Sequence, residues 1–224
     1  MITDAKSMVL TWGLGQYVEW KLRSAFRGIW LDGALPEGDE GVICYANHSS
    51  FWDGFVAHVL AKRAGRDLYA VMEEQNLERY RFLTRIGAFS IRRGDSRSAL
   101  QTFRHARSLL RRPKSAVLIF PQGKIEANAV PPLKFERGTE LLARMAKARC
   151  VPVAFRYAFF EHEHPDVLVK VGEAHAPAPL ADLELRLGAL VGELQAVRNV
   201  DSLQPLVHGR RSIAERWDAV RGLP

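Results

Sequence analysis

One stretch limits what this chain can fold into: an apolar strand that runs directly into a polar turn and then into a helix. Val42-Ile43-Cys44-Tyr45-Ala46 is apolar at every position and reads as a buried strand. Asn47-His48-Ser49-Ser50-Phe51-Trp52-Asp53 follows, and Gly54 to Leu60 reads as a helix. The alternation continues along the chain. Further strands are expected over 28–33, 68–72, 117–120, 151–154 and 167–172, and helices over 77–86, from Ser96 onward, and over 139–147. The predicted class is α/β: a single domain with one mixed, mostly buried β-sheet flanked by helices. An N-terminal amphipathic helical element, residues 1–27, precedes the α/β domain of residues 28–224.

The turn carries the chemistry. His48 sits at a strand end and Asp53 in the first turn of the next helix. A pure helix would separate residues at this spacing by about 7.5 Å, too far for contact, but a turn can fold Asp53 back onto the imidazole. A carboxylate there fixes the His tautomer and stabilises the imidazolium formed when His48 takes a proton. No Gly-x-Ser-x-Gly elbow supplies a serine nucleophile, so the simplest chemistry is a His base acting on a substrate hydroxyl.

Composition narrows the setting. Cys44 and Cys150 lie in apolar runs and read as reduced core residues of a cytoplasmic protein, not as a disulfide or metal site. The net charge of +7 and pI near 9.7 favour an anionic partner: a membrane surface, a nucleic acid or an acidic carrier. No secretory signal and no transmembrane stretch is expected. His162-Glu163-His164-Pro165 reads as a surface turn, because no further ligand has a suitable spacing, and no metal is expected.

From Met8 to Phe26 the chain reads as a helix in which Trp12, Tyr17 and Trp20 alternate with Lys21, Arg23 and Glu19. Such a pattern suits a helix lying at a lipid headgroup surface, and equally a helix packing a stripe on the core. The two are compatible if each uses a different face. The stripe Ala99, Leu100, Phe103, Ala106 and Leu110 faces a core, with arginines in a solvated arc outside it. Leu183, Leu187, Leu190, Leu194 and Val197 form another stripe, read as core, and the basic tail from Ser202 is expected to be helical near Trp217.

His48-x-x-x-x-Asp53 resembles the His-x-x-x-x-Asp motif of the glycerolipid acyltransferases, the lysophosphatidate acyltransferases and their relatives, and further blocks resemble that family in order. Gly87 to Arg93 resembles its strand ending in an arginine that binds the acceptor's phosphate. Arg93 is the aligned position and Arg92 its neighbour. Guanidinium forks match phosphate oxygens, and the amides opening the helix at Ser96 could join such a site. Phe120-Pro121-Gln122-Gly123-Lys124 resembles the family's Phe-Pro-Glu-Gly-Thr-Arg, with Gln122, Lys124 and Ile125 replacing Glu, Thr and Arg. Gln122 can accept and donate but brings no charge. These departures bear on the acceptor, and suggest either a hydroxyl other than that of lysophosphatidate, as in a glycolipid or amino-acid lipid, or weakened activity. Pro132 to Gly138 resembles the basic segment that follows, making Lys134 and Arg137 candidates for a second phosphate contact, and Val151-Pro152-Val153 resembles a strand lining the acyl site.

The resemblance, over roughly residues 28 to 175, implies acyl transfer from acyl-CoA or acyl carrier protein to a lysophospholipid hydroxyl, at the inner face of the membrane. His48 would be the base and Asp53 its partner. Arg93, Gln122, Gly123, Lys124, Lys134 and Arg137 would bind substrate, amides near Gly123 would meet the oxyanion, and no cofactor beyond the thioester co-substrate is implied. The rivals are a thioesterase-type hydrolase using the same His and Asp on water, a basic nucleic-acid-binding module, which lacks any recognised binding motif, and a lipid-binding module without transferase activity.

Overall fold

The computed structural model describes residues 1–221. Helix α1 (Met8–Ala25) leads into strand β1 (Gly28–Asp32), β2 (Val42–Ala46), α2 (Asp53–Arg63), β3 (Asp67–Glu73), α3 (Glu74–Arg79), β4 (Ala88–Ile91), α4 (Ser96–Leu110) and β5 (Ser115–Ile119). Then come α5 (Gly138–Ala146), β6 (Arg149–Ala158), β7 (Asp166–Val171), α6 (Leu180–Ala196), β8 (Gln204–His208) and α7 (Ile213–Arg221). The strands form one eight-stranded mixed sheet in the order β4-β3-β5-β2-β6-β7-β1-β8. From β4 to β6 all neighbours are parallel. β7 runs antiparallel to β6 and parallel to β1, and β8 is antiparallel to β1.

Every residue of β2 is buried, as an apolar run without alternation requires of a strand covered on both faces. Val42, Cys44 and Ala46 point to the face covered by α1 and α2. Ile43 and Tyr45 point to the face covered by α4, α5 and α6. The chain leaves β2 through α2 toward β3, on one side of the sheet. It leaves the adjacent β5 through α5 toward β6, on the other. The winding direction therefore reverses between β5 and β2. At such a switch point the two connections diverge and open a crevice at the carboxyl ends of the strands.

The expected α/β sheet is present, and several elements differ in detail. The helix expected over 77–86 is broken at Tyr80 (φ −118°, ψ 52°) into α3 and a 3-10 turn, Arg81–Ile86. The carbonyls of Thr84 and Arg85 accept the amides of Ala5 and Ser7, so the N-terminal segment takes backbone partners from this turn. Gly87 (φ +103°) ends it, where a Cβ would meet the Leu68 carbonyl at 2.7 Å. In α4 the buried face is Ser98, Thr102, Phe103, Ala106, Leu109 and Leu110, and Leu100 of the expected stripe is exposed. Ser98 and Thr102 enter because their hydroxyls bond the Arg92 amide and the Ser90 carbonyl at the end of β4. Strand β8 is unannounced by the sequence. It is an edge strand in which Pro205 pairs with Trp30 next to a bulge at Leu206, where the register shifts between Ile29 and Trp30, the kind of position a proline tolerates.

The later helices and the two cysteines stand as expected. Leu183, Leu187 and Leu194 of α6 are core, not a dimer seam, and α7 is helical around Trp217. Both cysteines are free and buried; burial pushes the thiols up, Cys44 to about 12 and Cys150 to about 11. Among the described residues no helix is long and apolar enough to cross a membrane, and no group of His, Cys, Asp and Glu could hold a metal ion. Residues 1–27 are tied to the domain at both ends: Ile2 pairs with Ser90, and Val18, Leu22 and Phe26 belong to the core that also holds α2.

Fully buried Asp166 ties the start of β7 to β1, accepting from Arg27 Nε at 2.9 Å and Trp30 Nε1 at 2.6 Å. Asp166→Ala leaves the Arg27 Nε–H and an indole N–H short of an acceptor, while Arg27 keeps Glu215 at 3.0 Å. It should cost about 3 kcal/mol in urea unfolding, the scale of breaking a buried pair.

Candidate active site

The carboxyl ends of β2, β5, β4 and β6 bring the candidate residues together. β2 stops at Ala46 because Asn47 takes over its pairing with a side chain. The buried Asn47 amide accepts the Phe155 N–H and donates to the Phe155 carbonyl, both at 2.8 Å, and also donates to Ser49 Oγ at 2.7 Å. The backbone is thereby released into a turn. The Asp53 N–H bonds back to the Ser50 carbonyl at 3.2 Å, and α2 begins.

That turn returns Asp53 to His48. Asp53 is fully buried, and its Oδ2 accepts from His48 Nδ1 at 2.8 Å and from the amides of Ser49 and Ser50 at 2.7 and 2.9 Å. Tyr157, on β6, donates its hydroxyl to Oδ1 at 2.7 Å. An ionised carboxylate only accepts, so Nδ1 carries the proton, and the lone pair of His48 lies on Nε2. The ring stacks on Phe120 at 4.0 Å between centroids, tilted by 12°, which fixes its plane. Burial and then the Asp53 charge push the Tyr157 hydroxyl far above its usual value, so it stays a donor. The arrangement can remove a proton from a group presented to Nε2 and return it.

Gln122 lies directly behind His48. It is 4% exposed, its Oε1 accepts the His48 amide at 2.9 Å, and its Nε2 donates to Glu126. The Glu126 amide donates to the His48 carbonyl at 2.8 Å. Both ends of the Gln122 side chain are thus engaged within the protein. Gly123 (φ +67°) makes the tight turn, and its own N–H is already engaged, donating to the Phe120 carbonyl at 3.0 Å. Lys124 is exposed and pairs with Glu126 at 2.8 Å. The Lys124 ammonium, and then the Gln122 amide, hold the Glu126 carboxyl below the usual range.

The two arginines after β4 divide. Arg92 is held by Glu74 and lies 3.8 Å from Asp95. Arg93 makes only a loose 3.9 Å approach to Glu73. Its Nη2 lies 2.6 Å from where a Cβ on Gly123 would stand, so the missing side chain at Gly123 admits the guanidinium beside the His48 loop. The opening of α4 is not free to join an anion site: the Asp95 carboxylate already accepts the Arg97 and Ser98 amides. Lys134 and Arg137 are exposed, on a segment held over the loop by the Glu136 amide on the Pro121 carbonyl at 2.9 Å. Asn47 and Phe120 stood in the motifs without roles assigned to them, and Glu126 and Tyr157 escaped sequence reasoning. Adjacency to His48 could have marked Asn47, but nothing local marks Tyr157.

A family model described as Acyltransferase matches residues 31–156, the span from the end of β1 to β6 that includes His48, Asp53, Arg93 and Gln122. No curated protein matches the chain.

Tyr157→Phe removes a donor from a buried carboxylate and leaves the ring packed against Phe26. It should destabilise the protein by about 1–3 kcal/mol, the penalty for an under-satisfied buried group, read as a lower urea midpoint at unchanged m.

Proposed function

The chain belongs to the acyltransferase family, that of glycerolipid acyltransferases such as 1-acylglycerol-3-phosphate acyltransferase, and from that membership we propose that it moves a fatty acyl group from a thioester, acyl-CoA or acyl carrier protein, to the hydroxyl of a lysophospholipid or related lipid. The observation that carries this reading is the His48–Asp53 contact of 2.8 Å at the switch point of the sheet, with the weakly engaged Arg93 beside it.

The acceptor hydroxyl gives its proton to His48 Nε2 as its oxygen bonds to the thioester carbonyl carbon. Asp53 stabilises the imidazolium, and because four donors already hold that carboxylate, it does so without moving. The tetrahedral intermediate collapses with cleavage of the carbon–sulfur bond, and the departing sulfur takes the proton from His48. Arg93 suits an anionic headgroup, with Lys134 and Arg137 as outer cations. The protein works peripherally at the cytoplasmic face of a membrane. In support, Val9, Trp12, Tyr17 and Trp20 are exposed on α1, whose opposite side, Val18 and Leu22, is core.

His48→Ala should lower transfer at least about 100-fold with circular dichroism unchanged. Near-normal transfer by the folded variant sinks the mechanism. Mass spectrometry of products from acyl-CoA with and without a mixed lysolipid pool separates the classes: free fatty acid alone marks a hydrolase. The protein should also sediment with anionic liposomes and release as salt rises, and Trp12→Ser with Trp20→Ser should weaken that association.

A further inference from the structure

The peptide of His48 is held at both ends by one short segment. Its N–H goes to Gln122 Oε1 at 2.9 Å, and its carbonyl accepts the Glu126 amide at 2.8 Å. Gln122 is buried, and its two ends differ: an oxygen that accepts and an NH2 that donates. The two ends are close to isosteric, so packing alone sets no orientation. A flipped amide would aim its NH2 at the His48 N–H and its oxygen at the Glu126 carboxylate. Two hydrogen bonds would become a donor–donor and an acceptor–acceptor clash. The carboxylate of Glu126, accepting from Gln122 Nε2 and neutralised by Lys124 at 2.8 Å, excludes that state. An ionised carboxylate cannot donate, so the preference does not depend on its rotamer.

We infer that Glu126 is a positioning residue: it locks the Gln122 amide in the one orientation whose oxygen accepts the His48 N–H, and so sets where the imidazole stands. This rests on His48 being the proton acceptor proposed above. A carboxylate at 126 demands a donor at 122, and a donor end at 122 requires an acceptor at 126. The two positions form a matched pair, with charge on one and an amide on the other, and the assignment should be exchangeable. Gln122→Glu alone confronts two carboxylates at hydrogen-bond distance, which can coexist only by sharing a proton. Gln122→Glu with Glu126→Gln restores the match, since a carboxylate at 122 accepts from both the His48 N–H and the new amide at 126.

The test compares wild type, each single variant and the exchanged double variant by two readouts. The first is kcat and KM against pH with acyl-CoA and whichever acceptor of the mixed lysolipid pool the wild type acylates fastest. The second, independent of activity, is hydrogen exchange at the His48 amide. Gln122→Glu should lower kcat about tenfold or more near pH 8, the loss of about one hydrogen bond, with KM changed less than about twofold, and should recover part of it toward about pH 6 as the pair takes up a proton. The His48 amide should exchange about tenfold faster in the same variant. The double variant should return both quantities to within about threefold of wild type, the usual margin for a conserved interaction. A Gln122→Glu protein that matches wild type in both readouts, or a double variant no better than that single one, overturns the inference. If exchange follows the swap while the wild type transfers no acyl group to any member of that pool, the positioning of His48 stands and the proposed acyl transfer falls.

Discussion

The carboxylate of Asp53 is the interaction on which the rest of the site depends. A carboxylate removed from water without partners costs several kcal/mol, and Asp53 is fully buried. Four donors answer it: the His48 ring, the amides of Ser49 and Ser50, and the Tyr157 hydroxyl. They come from the turn after β2 and from β6, so satisfying one charge fixes the turn, the start of α2 and the end of β6 relative to one another. The imidazole is oriented as a consequence of that solvation. The same four bonds make Asp53 a fixed dipole, ready for the imidazolium without rearrangement.

The sheet explains why this charge is buried where it is. β2 is interior, covered by α1 and α2 on one face and by α4, α5 and α6 on the other. Its carboxyl end opens beside that of β5 because the connections leave to opposite sides. Phe120 and Gln122 from the end of β5 therefore reach His48 from β2, one through ring stacking and the other through its amide. Arg93 arrives from β4 over the gap that Gly123 leaves. Chain positions far apart meet at one edge because parallel strands put their carboxyl ends together.

Competition among ionic groups sorts the candidate anion ligands. Arg92 and the opening of α4 are already engaged, the first by Glu74 and the second by Asp95. Arg93, with 38% of its side chain exposed, and the exposed Lys134 and Arg137 still meet water and can exchange it for a ligand. The Met1 ammonium, then Arg92, hold the Glu74 carboxyl down at about 2, so it remains a charged partner to Arg92 across the working range of pH. α1 divides its residues in a similar way. Leu22 and Phe26 reach the core and pack beneath Trp52, while Trp12, Tyr17 and Trp20 stay outside.

Local pattern was enough for the α/β class, for most strands and helices, and for His48 with Asp53, because unalternated apolar runs and a polar strand-end turn are properties of short stretches. It misled where backbone partners come from afar. The helix expected over 77–86 breaks at Tyr80, and the carbonyls of its last turn take amides from residues 5 and 7, while β8 is a strand only because β1 has a free edge to offer. At the site, the sequence could name a His, a carboxylate, an arginine and an out-of-pattern glutamine. Only the tertiary structure decided that Tyr157 completes the charge on Asp53, that Arg93 and not Arg92 turns toward the loop, and that Gln122 faces His48 with Glu126 behind it. The physical reason is directionality. Hydrophobic periodicity is written in neighbours along the chain, whereas a hydrogen bond exists only when a donor and an acceptor from distant segments are aimed at one another.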